Sequence, residues 1–395
     1  MKEKIKILGT VGLYHAVNDG SIAAVPLLFP IFRELFDLSY TEIGAITGLG
    51  LLVHIIAQLM IGRTSDGKNS RTLLSLGILL ISISLLLLTN IRGFYTLLLL
   101  IILLRFSISF FHPIGVGLVS RTFKNHRLDW AMGIQSGSAN IGSFIAISTT
   151  LYIAEITSWD YPLYIWSIAC ALAVIIGINL TSKVKEEYII VKKVKQKQKI
   201  KEIIEDSKIF LKKIKLLIPA IAISGASWGV ITTYLPLFLD EKTALSLSFV
   251  GMIVAVWIGI GVIASFLYGS MSSIFGRKNL IYFSYITIGI TSVILSTLTN
   301  AILITMILVI LGIAVFISYP AIFSFISEIT HESSEGKSFG TVFTLQLTGG
   351  TILVFLGGYL SDIFGIWIPF VILGIISLAY SIVLIICRKQ EMITC

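Results

Sequence analysis

Continuous apolar stretches recur along the whole sequence, and they constrain its fold more than any other feature. A helix needs about 20 residues to cross the hydrocarbon core of a membrane, and twelve stretches of this kind can be placed. Strands of a membrane barrel would instead alternate polar and apolar residues. Because only 13% of the residues are charged, the sequence predicts an all-α membrane protein with twelve transmembrane helices. The predicted spans are 7–31, 41–61, 73–90, 94–119, 130–153, 161–181, 217–239, 247–270, 279–298, 301–327, 339–360 and 366–387.

The distribution of basic residues predicts how these spans are oriented. If the amino terminus is cytoplasmic, 26 of the 30 lysines and arginines lie on the cytoplasmic side. Arg33, Arg92 and Lys242 then lie outside, and Arg105 lies within a span. This asymmetry follows the positive-inside rule, so the net charge of +9 is no indication of nucleic-acid binding. We expect a multi-pass protein of the cell (inner) membrane, in contact with its lipids, with both termini cytoplasmic.

The first apolar stretch is expected to remain as a helix and not to be cleaved as a signal peptide. It is long, other spans follow it, and no A-x-A cleavage site is present.

One polar segment divides the spans into two groups of six. Residues 183–215 contain twelve lysines and five acids. We therefore expect an N-terminal six-helix bundle over 1–182, a basic cytoplasmic linker over 183–215, and a C-terminal six-helix bundle over 216–395. Apolar residues at helical spacing in the linker predict a helix lying on the anionic inner leaflet, and a solvated linker is the alternative. These apolar residues are Ile203, Phe210, Ile214 and Leu217.

The two groups of spans repeat glycines and prolines at a constant offset of 207 residues. Glycine and proline set close helix approaches and bends, which a duplicated bundle must reproduce. Duplicated six-helix halves are one recurring plan of secondary transporters, in which the halves expose a central site to alternate sides. The matched pairs include Gly44 with Gly251, Gly62 with Gly269, Pro113 with Pro320, Gly133 with Gly340, and Pro162 with Pro369.

A loop pattern occurs in both halves and resembles a motif of the major facilitator superfamily. The first copy contains Gly62, Asp66 and Arg71, and the second contains Gly269 and the run Gly276-Arg277-Lys278. The resemblance implies the major facilitator fold of two pseudo-symmetric six-helix bundles. It also implies that Asp66 and Arg71 are gating residues, although a generic solvated turn is the alternative.

The first 150 residues or so also resemble the fosmidomycin-resistance branch of efflux proteins. The similarity lies in three short motifs, which are His15-Ala16-Val17-Asn18-Asp19, Phe111-His112-Pro113 and the run from Gln135 to Gly142. The resemblance implies efflux by antiport and a role in drug resistance.

Two ionisable residues fall near the middle of predicted spans. Charged side chains within a membrane are costly, by roughly 2.5–3.5 kcal/mol on insertion scales, and therefore point to a cavity, a partner or a function. The superfamily resemblance implies that the helices carrying Asp19 and Arg105 line a central cavity. We expect the two side chains to face one another, so that protonation of Asp19 releases Arg105 to bind a polar or anionic substrate. A purely structural ion pair is the alternative.

Histidines and amides accompany these charges. His15 lies one helical turn before Asp19, Asn18 adjoins it, and His54 reaches a similar depth. These residues are predicted to bind substrate or protons, with packing as the alternative for each histidine. His112 directly precedes Pro113, so this pair is predicted to form a gate or hinge.

Helix-packing surfaces offer further candidates for binding the substrate. Asn140 lies on a glycine-rich helix face, where substrate contact is plausible. In the second half we expect Trp228, Tyr234 and Gln346 to reach the cavity, with packing as the alternative for the aromatic residues. Trp257 and Tyr319 belong to the same polar-aromatic group.

Other features of the sequence separate classes of function. The histidines are dispersed along the chain, so we expect no metal site and no catalytic centre, and the three cysteines have no ligand-like spacing. No phosphate-binding G-x-x-x-x-G-K-[ST] run occurs, so ATP-driven transport is not expected. The sequence predicts a monomeric, cofactor-free secondary transporter, not an enzyme, that exports a small polar or drug-like solute and is coupled to protons. An uptake carrier for an organic anion and a non-transporting sensor are the alternatives.

Overall fold

The computed structural model describes residues 2–65, 68–123, 126–185, 208–329 and 335–386, and this part of the chain is helical throughout apart from short connections. The helices are α1 (Lys2–Leu27), α2 (Phe29–Phe36), α3 (Tyr40–Thr64), α4 (Ser70–Leu88), α5 (Phe94–Ile108), α6 (Gly117–Thr122), α7 (His126–Ile156), α8 (Tyr161–Thr181), α9 (Ile218–Lys242), α10 (Leu247–Phe275), α11 (Arg277–Thr297), α12 (Ala301–Ile329), α13 (Glu335–Phe364) and α14 (Ile368–Ile386).

The all-helical prediction is confirmed, and so is the position of each long helix to within a few residues. Eleven helices in the described residues are long and apolar enough to cross a membrane. The helix α1, with 26 residues, is not among them, because His15, Asn18 and Asp19 lower the hydropathy of its middle. Eleven such spans and α1 are consistent with the predicted twelve.

The chain forms two compact units that do not follow the chain order completely. Unit 1 comprises residues 1–38, 49–195 and 246–252, and unit 2 comprises 39–48, 196–245 and 253–395. The helix α3 therefore begins in unit 2 and continues in unit 1, whereas α10 begins in unit 1 and continues in unit 2. We call Ser39–Gly48 and Ser246–Met252 the exchanged segments. The sequence predicted two contiguous bundles, and the observed units depart from that prediction in these two segments.

Unit 1 is built around close contact between α1 and α7. A Cβ placed on Gly142 would lie 1.9 Å from the carbonyl oxygen of Ala16, so only glycine permits this approach. Ser82 on α4 donates to the carbonyl oxygen of Ser167 on α8 at 2.8 Å. Small residues that let helix backbones approach and hydroxyls that bond across helices are typical of packing in a membrane.

Unit 2 uses the same devices between α9 and α13. A Cβ on Gly225 would lie 1.9 Å from the carbonyl oxygen of Gln346, and one on Gly349 would lie 2.1 Å from that of Ala222. The buried hydroxyl of Tyr285 on α11 donates to the carbonyl oxygen of Ala220 at 2.6 Å. Backbone contact fixed by glycines on both helices holds α9 and α13 together.

Equivalent prolines in the two units have different effects on their helices. At Pro113 the helix widens into a π-helical segment, His112–Val116, whereas Pro320 lies inside the continuous helix α12. Proline has no N–H group, so the carbonyl four residues earlier loses its usual partner. For Pro320 that carbonyl belongs to Phe316, and the hydroxyl of Ser265 on α10 donates to it at 3.2 Å.

The linker prediction is only partly covered by the structure. Residues 208–213 are helical, while Ile203 and the stretch 186–207 lie outside the described residues. Ile214 and Leu217 were expected on a membrane surface, but they are 1% and 4% exposed. That part of the prediction was wrong, because these two side chains pack into the protein and leave the neighbouring lysines exposed.

Candidate functional site

His15 is the centre of a buried polar cluster in unit 1. Its Nδ1 lies 3.0 Å from the carbonyl oxygen of Gln135 on α7, and its Nε2 lies 3.5 Å from Oδ2 of Asp19. A carbonyl oxygen only accepts hydrogen bonds, so Nδ1 must carry a proton. The helix spacing of four residues places His15 and Asp19 on one face of α1, and the other ring nitrogen therefore faces the carboxylate.

Asn18 supports the second oxygen of the same carboxylate. This side chain is fully buried, and its Nδ2 donates to Oδ1 of Asp19 at 2.9 Å. The Oδ1 of Asn18 has no hydrogen-bond partner within the part of the chain that the structure describes. An unpaired buried acceptor is costly, so this oxygen is available to a ligand that donates a hydrogen bond.

His112 joins the cluster, although the sequence analysis assigned it to a gate. Its ring lies edge-on to that of His15, with centroids 5.4 Å apart. Ligand atoms of His15, Asp19 and His112 all lie within 4.8 Å of one another. Two imidazoles and a carboxylate are chemically able to hold a divalent transition-metal ion. The expectation that the histidines are too dispersed to form such a group was therefore wrong, because α1 and the π-helical segment bring them together.

His54 extends the cluster from α3. It is 4% exposed, its Nε2 lies 3.0 Å from Oε1 of Gln58, and its ring centroid lies 6.4 Å from that of His112. Its Nδ1 has no hydrogen-bond partner among the described residues. Three histidines from different parts of the chain thus lie near one another, with the ring of His112 close to both of the others.

Arg105 does not form the expected ion pair with Asp19. Both residues are described, and Asp19 pairs with His15 instead. Arg105 packs against α3, where its Cγ would lie 3.0 Å from a Cβ on Gly50, and it interacts electrostatically with His54. The absence of a side chain at Gly50 lets the arginine lie along α3. The structure thus leaves a half-buried cation without a carboxylate partner among the described residues.

Helix α7 contributes its backbone to the cluster more clearly than its side chains. The carbonyl of Gln135 holds His15, while the side-chain Oε1 of Gln135 has no partner in the described chain. Asn140 is half-buried and makes no hydrogen bond to other described residues. Its predicted contact with a substrate stays a prediction.

The candidates in unit 2 differ in their surroundings. Tyr234 is fully buried and its hydroxyl donates to the carbonyl oxygen of Val354 at 2.5 Å, so it packs α9 against α13 and the expectation that it reaches a cavity was wrong. Gln346 is 7% exposed and donates to Oγ of Ser224 at 3.1 Å, while the hydroxyl of Tyr319 donates to the carbonyl oxygen of Ser224 at 3.0 Å.

An aromatic cluster completes the candidate residues of unit 2. The half-buried ring of Trp228 lies 5.6 Å from that of Trp257 and 6.1 Å from that of Phe316. Trp257 is fully buried, and its Nε1 has no acceptor within the described residues. The chemistry of unit 2 is thus aromatic and amide-based, whereas the histidines, Asp19 and Arg105 lie in unit 1.

The predicted gating residues are only partly described. Asp66 lies outside the described residues, so its role stays a prediction. A guanidinium nitrogen of Arg71 donates to the carbonyl oxygen of Thr181 at 2.9 Å, at the carboxyl end of α8. A cation at that end satisfies an unpaired carbonyl and complements the helix dipole.

Two contacts of the cluster were not predicted from the sequence. Phe111 stacks on His15, and Gln58 bonds to His54. The spacing of four residues between His54 and Gln58 could have predicted the second contact. The first joins different helices, and no local pattern in the sequence encodes it.

The fold and the cluster define a polytopic helical membrane protein with ionisable groups inside its spans, and such groups are typical of membrane transporters. The sequence matches the family described as Major Facilitator Superfamily over residues 11–352 and 217–392. The chain therefore belongs to the major facilitator superfamily, a family of membrane transporters and not of enzymes. A curated relative, the uncharacterized MFS-type transporter YfnC of Bacillus subtilis (strain 168), is 28% identical over 109 residues. That match covers 28% of this chain and only 27% of YfnC.

Solved structures show the same fold over nearly the whole chain. A bacterial homologue of the human lysosomal transporter Spinster, in an inward-facing and occupied conformation, has a TM-score of 0.80 at 14% identity and covers 97% of this chain and 96% of its own. A POT family transporter in complex with 5-aminolevulinic acid has a TM-score of 0.82 at 12% identity, covering 98% and 96%. The nucleoside transporter NupG has a TM-score of 0.76 at 13% identity, covering 99% and 100%.

Proposed function

We propose that this protein is a proton-coupled antiporter that exports a small polar or drug-like solute. It works as a monomer in the inner membrane, with both termini in the cytoplasm. Membership of the major facilitator superfamily supports transport, and the resemblance of the first 150 residues or so to the fosmidomycin-resistance branch supports export. The coupling to protons rests on the geometry of His15 and Asp19.

The observation that carries the proposal is the pairing of His15 Nε2 with Asp19 Oδ2 at 3.5 Å. Nδ1 of His15 already donates to the carbonyl oxygen of Gln135. In the neutral ring Nε2 therefore has a lone pair that faces the carboxylate, and two acceptors repel. One added proton makes the contact attractive, either as an imidazolium ion or as a protonated carboxyl. The pair is therefore suited to bind a single exchangeable proton.

Charged and titratable groups on neighbouring segments act on this proton site. Asp19 interacts electrostatically with His112 in the π-helical segment. His54 on α3 interacts electrostatically with both Asp19 and Arg105. The α7 side contributes the neutral amide Gln135. The histidines are positioned to share or relay the proton, and Arg105 adds a fixed positive charge nearby.

The same arrangement explains how a solute would compete with the proton. Asp19 and Arg105 do not neutralise one another. A solute with a cationic or hydrogen-bond-donating group can therefore bind Asp19 and Asn18, and its anionic or accepting group can bind Arg105. Binding at Asp19 requires the carboxylate to be free of its proton. Mutually exclusive binding of solute and proton is the thermodynamic basis of antiport.

A second candidate, uptake of an organic anion, is favoured by one observation. Arg105 has no carboxylate partner within the described residues, so it can hold an anion while the His15–Asp19 pair is protonated. Proton and anion would then bind together and move in the same direction. The sign of the pH effect on transport separates the two candidates.

The test begins with a thermal-shift screen of the purified protein against antibiotics, organic acids and sugars. The solute that stabilises the protein is then followed in proteoliposomes under an imposed pH gradient. When the proton gradient is directed inward, antiport predicts that the solute moves outward, and symport predicts that it moves inward. Asp19→Asn keeps an acceptor oxygen for the solute but cannot exchange a proton, so solute exchange between equal concentrations should persist at lower affinity while the response to the gradient is lost. Asp37→Asn, a change at an exposed loop carboxylate, should behave as wild type. Flux through the wild type that ignores the gradient would refute proton coupling.

A further inference from the structure

Two carboxylates cap the beginnings of two helices, and the two caps are related by the internal repeat. In unit 2, Asp362 near the end of α13 accepts from the backbone N–H groups of Tyr40 and Thr41 at 2.8 Å each and from the Thr41 hydroxyl. In unit 1, Glu155 near the end of α7 accepts from the backbone N–H of Ser248 at 2.6 Å and from its hydroxyl.

The equivalence of the two caps covers the carboxylates and the hydroxyl-bearing residues that they cap. Asp362 follows Glu155 by 207 residues, and Ser248 follows Thr41 by 207 residues. This is the offset that relates the glycines and prolines of the two halves. A cap that arose by chance in one half would have no counterpart at the same offset in the other, so both are part of the duplicated architecture.

The chemistry of the caps makes them strong contacts for a surface position. The first N–H groups of a helix have no partner within the helix, and a carboxylate at that end satisfies them and complements the helix dipole. Hydrogen bonds to an ionised acceptor are shorter and stronger than those between neutral groups. Each carboxylate also accepts a hydroxyl, so each cap contains at least two bonds to one side chain.

Repeated glycines bring the helices close enough for the caps to form. A Cβ on Gly44, three residues after Thr41, would lie 2.9 Å from the carbonyl oxygen of Val354 on α13. A Cβ on Gly251, three residues after Ser248, would lie 3.1 Å from the Cβ of Leu151 on α7. Both capped stretches therefore lie in close contact with the helix that carries the capping carboxylate.

The capped stretches are the exchanged segments. Ser39–Gly48 belongs to unit 2 although the rest of α3 belongs to unit 1, and Ser246–Met252 belongs to unit 1 although the rest of α10 belongs to unit 2. Each carboxylate thus fastens the beginning of a helix to a unit that does not contain the remainder of that helix. A transport cycle that moves the units must strain or release these attachments.

We propose that Glu155 and Asp362 are positioning residues that hold the exchanged segments in the present conformation, and that the alternate conformation of the transport cycle requires both caps to open. Neither carboxylate contacts the His15–Asp19 cluster in the contacts described above. They set the balance between conformations and leave solute and proton binding to unit 1. The proposal therefore stands or falls separately from the proposed antiport.

Hydrogen–deuterium exchange measures each cap directly, because the capped groups are backbone amides. Asp362→Ala should accelerate exchange in the peptide covering Ser39–Gly48 by about tenfold or more, since a bond to a charged acceptor is lost, and leave Ser246–Met252 unchanged. Glu155→Ala should do the reverse. Glu34→Ala, a change at an exposed carboxylate of α2, is the matched control, and Glu155→Gln and Asp362→Asn, which keep one acceptor oxygen, should have smaller effects.

The conformational consequence is measured by electron paramagnetic resonance between two spin labels. Tyr95 and Ile302 are 78% and 67% exposed, lie near the beginnings of α5 and α12, and are 207 residues apart. With both positions labelled through introduced cysteines, the Glu155→Ala/Asp362→Ala variant should show a second distance population that the wild type lacks. Unchanged exchange in the single variants, equal acceleration of both segments by either one, or an unchanged distance distribution in the double variant would overturn the proposal. None of these readouts uses a solute or a proton gradient.

Discussion

The imidazole ring of His15 stacks on the phenyl ring of Phe111, with centroids 4.3 Å apart and an interplanar angle of 24°. The stacking fixes the plane of the imidazole, and the bond from Nδ1 to Gln135 fixes its tautomer. With the plane and the tautomer of the ring fixed in this way, Nε2 faces Asp19. Phe111 is therefore a positioning residue for the proposed proton site, although it cannot carry a proton.

Replacing Phe111 with leucine should weaken proton coupling without abolishing the fold. Leucine fills part of the space but offers no flat face, so the His15 ring gains freedom of rotation and its contact with Asp19 weakens. We expect solute exchange to persist and the response of flux to a pH gradient to fall. Phe106→Leu, at a 40% exposed position on α5, should leave both unchanged. A full gradient response in Phe111→Leu would show that stacking is not needed.

The charge of Arg105 should determine solute affinity. Arg105→Gln removes the cation that we assign to the anionic or accepting group of the solute, and the lost charge-assisted bonds should raise the dissociation constant by about 10- to 100-fold. Arg105→Lys keeps the charge but loses the planar fork of donors, so a smaller loss is expected. Isothermal titration with the solute found by the thermal-shift screen measures both variants. Equal affinity in Arg105→Gln and wild type would exclude Arg105 from the binding site.

The contact of α1 with α7 should depend on the absence of a side chain at Gly142. The methyl group of Gly142→Ala would lie 1.9 Å from the carbonyl oxygen of Ala16, so the helices must separate, at a cost of about 1–3 kcal/mol or more. Gly133→Ala on the same helix meets no atom within 4 Å and should be neutral or stabilise by up to about 1 kcal/mol through helix propensity. Thermal unfolding in detergent compares the two variants. Similar melting temperatures for both would contradict the predicted clash.

Ser265 should stabilise α12 by completing the hydrogen bonds around Pro320. Ser265→Ala removes the donor to the carbonyl oxygen of Phe316 and leaves that acceptor without its partner, which costs about 1–3 kcal/mol. Ser272→Ala on the same helix loses only a bond to its own helix at Gly269 and should cost less. Chemical unfolding in mixed micelles measures both. The interpretation fails if Ser265→Ala is no less stable than Ser272→Ala.

The sequence predicted the helices well because hydrophobicity over about 20 residues is a local property. It also located Asp19, His15 and Asn18 together, since helical spacing alone puts them on one face of α1. It failed where the outcome depends on contacts between helices. Arg105 lies against Gly50 and not beside Asp19, and His112 lies beside His15, because the packing distances and the widening at Pro113 are not encoded in any local pattern.

The internal repeat carries information that hydropathy does not. A constant offset identified glycines and prolines, and the same offset relates the two carboxylate caps, which hydropathy alone could not have predicted because Glu155 and Asp362 lie at helix ends. Tyr234 shows the limit of the approach. Its position in the chain fitted a cavity residue, yet its hydroxyl is used to join α9 to α13.

The two equivalent prolines limit how the halves can be compared. A π-helical turn contains more residues than an α-helical turn, so the segment His112–Val116 rotates everything that follows it by roughly one residue, about 100°, relative to an uninterrupted helix. The helix α12 has no such segment after Pro320. Two residues matched at the constant offset therefore lie at a similar depth in the membrane both before and after the proline. They point in equivalent directions only when they precede the proline. A binding-site residue beyond Pro113 has a counterpart at the same height that faces a different way.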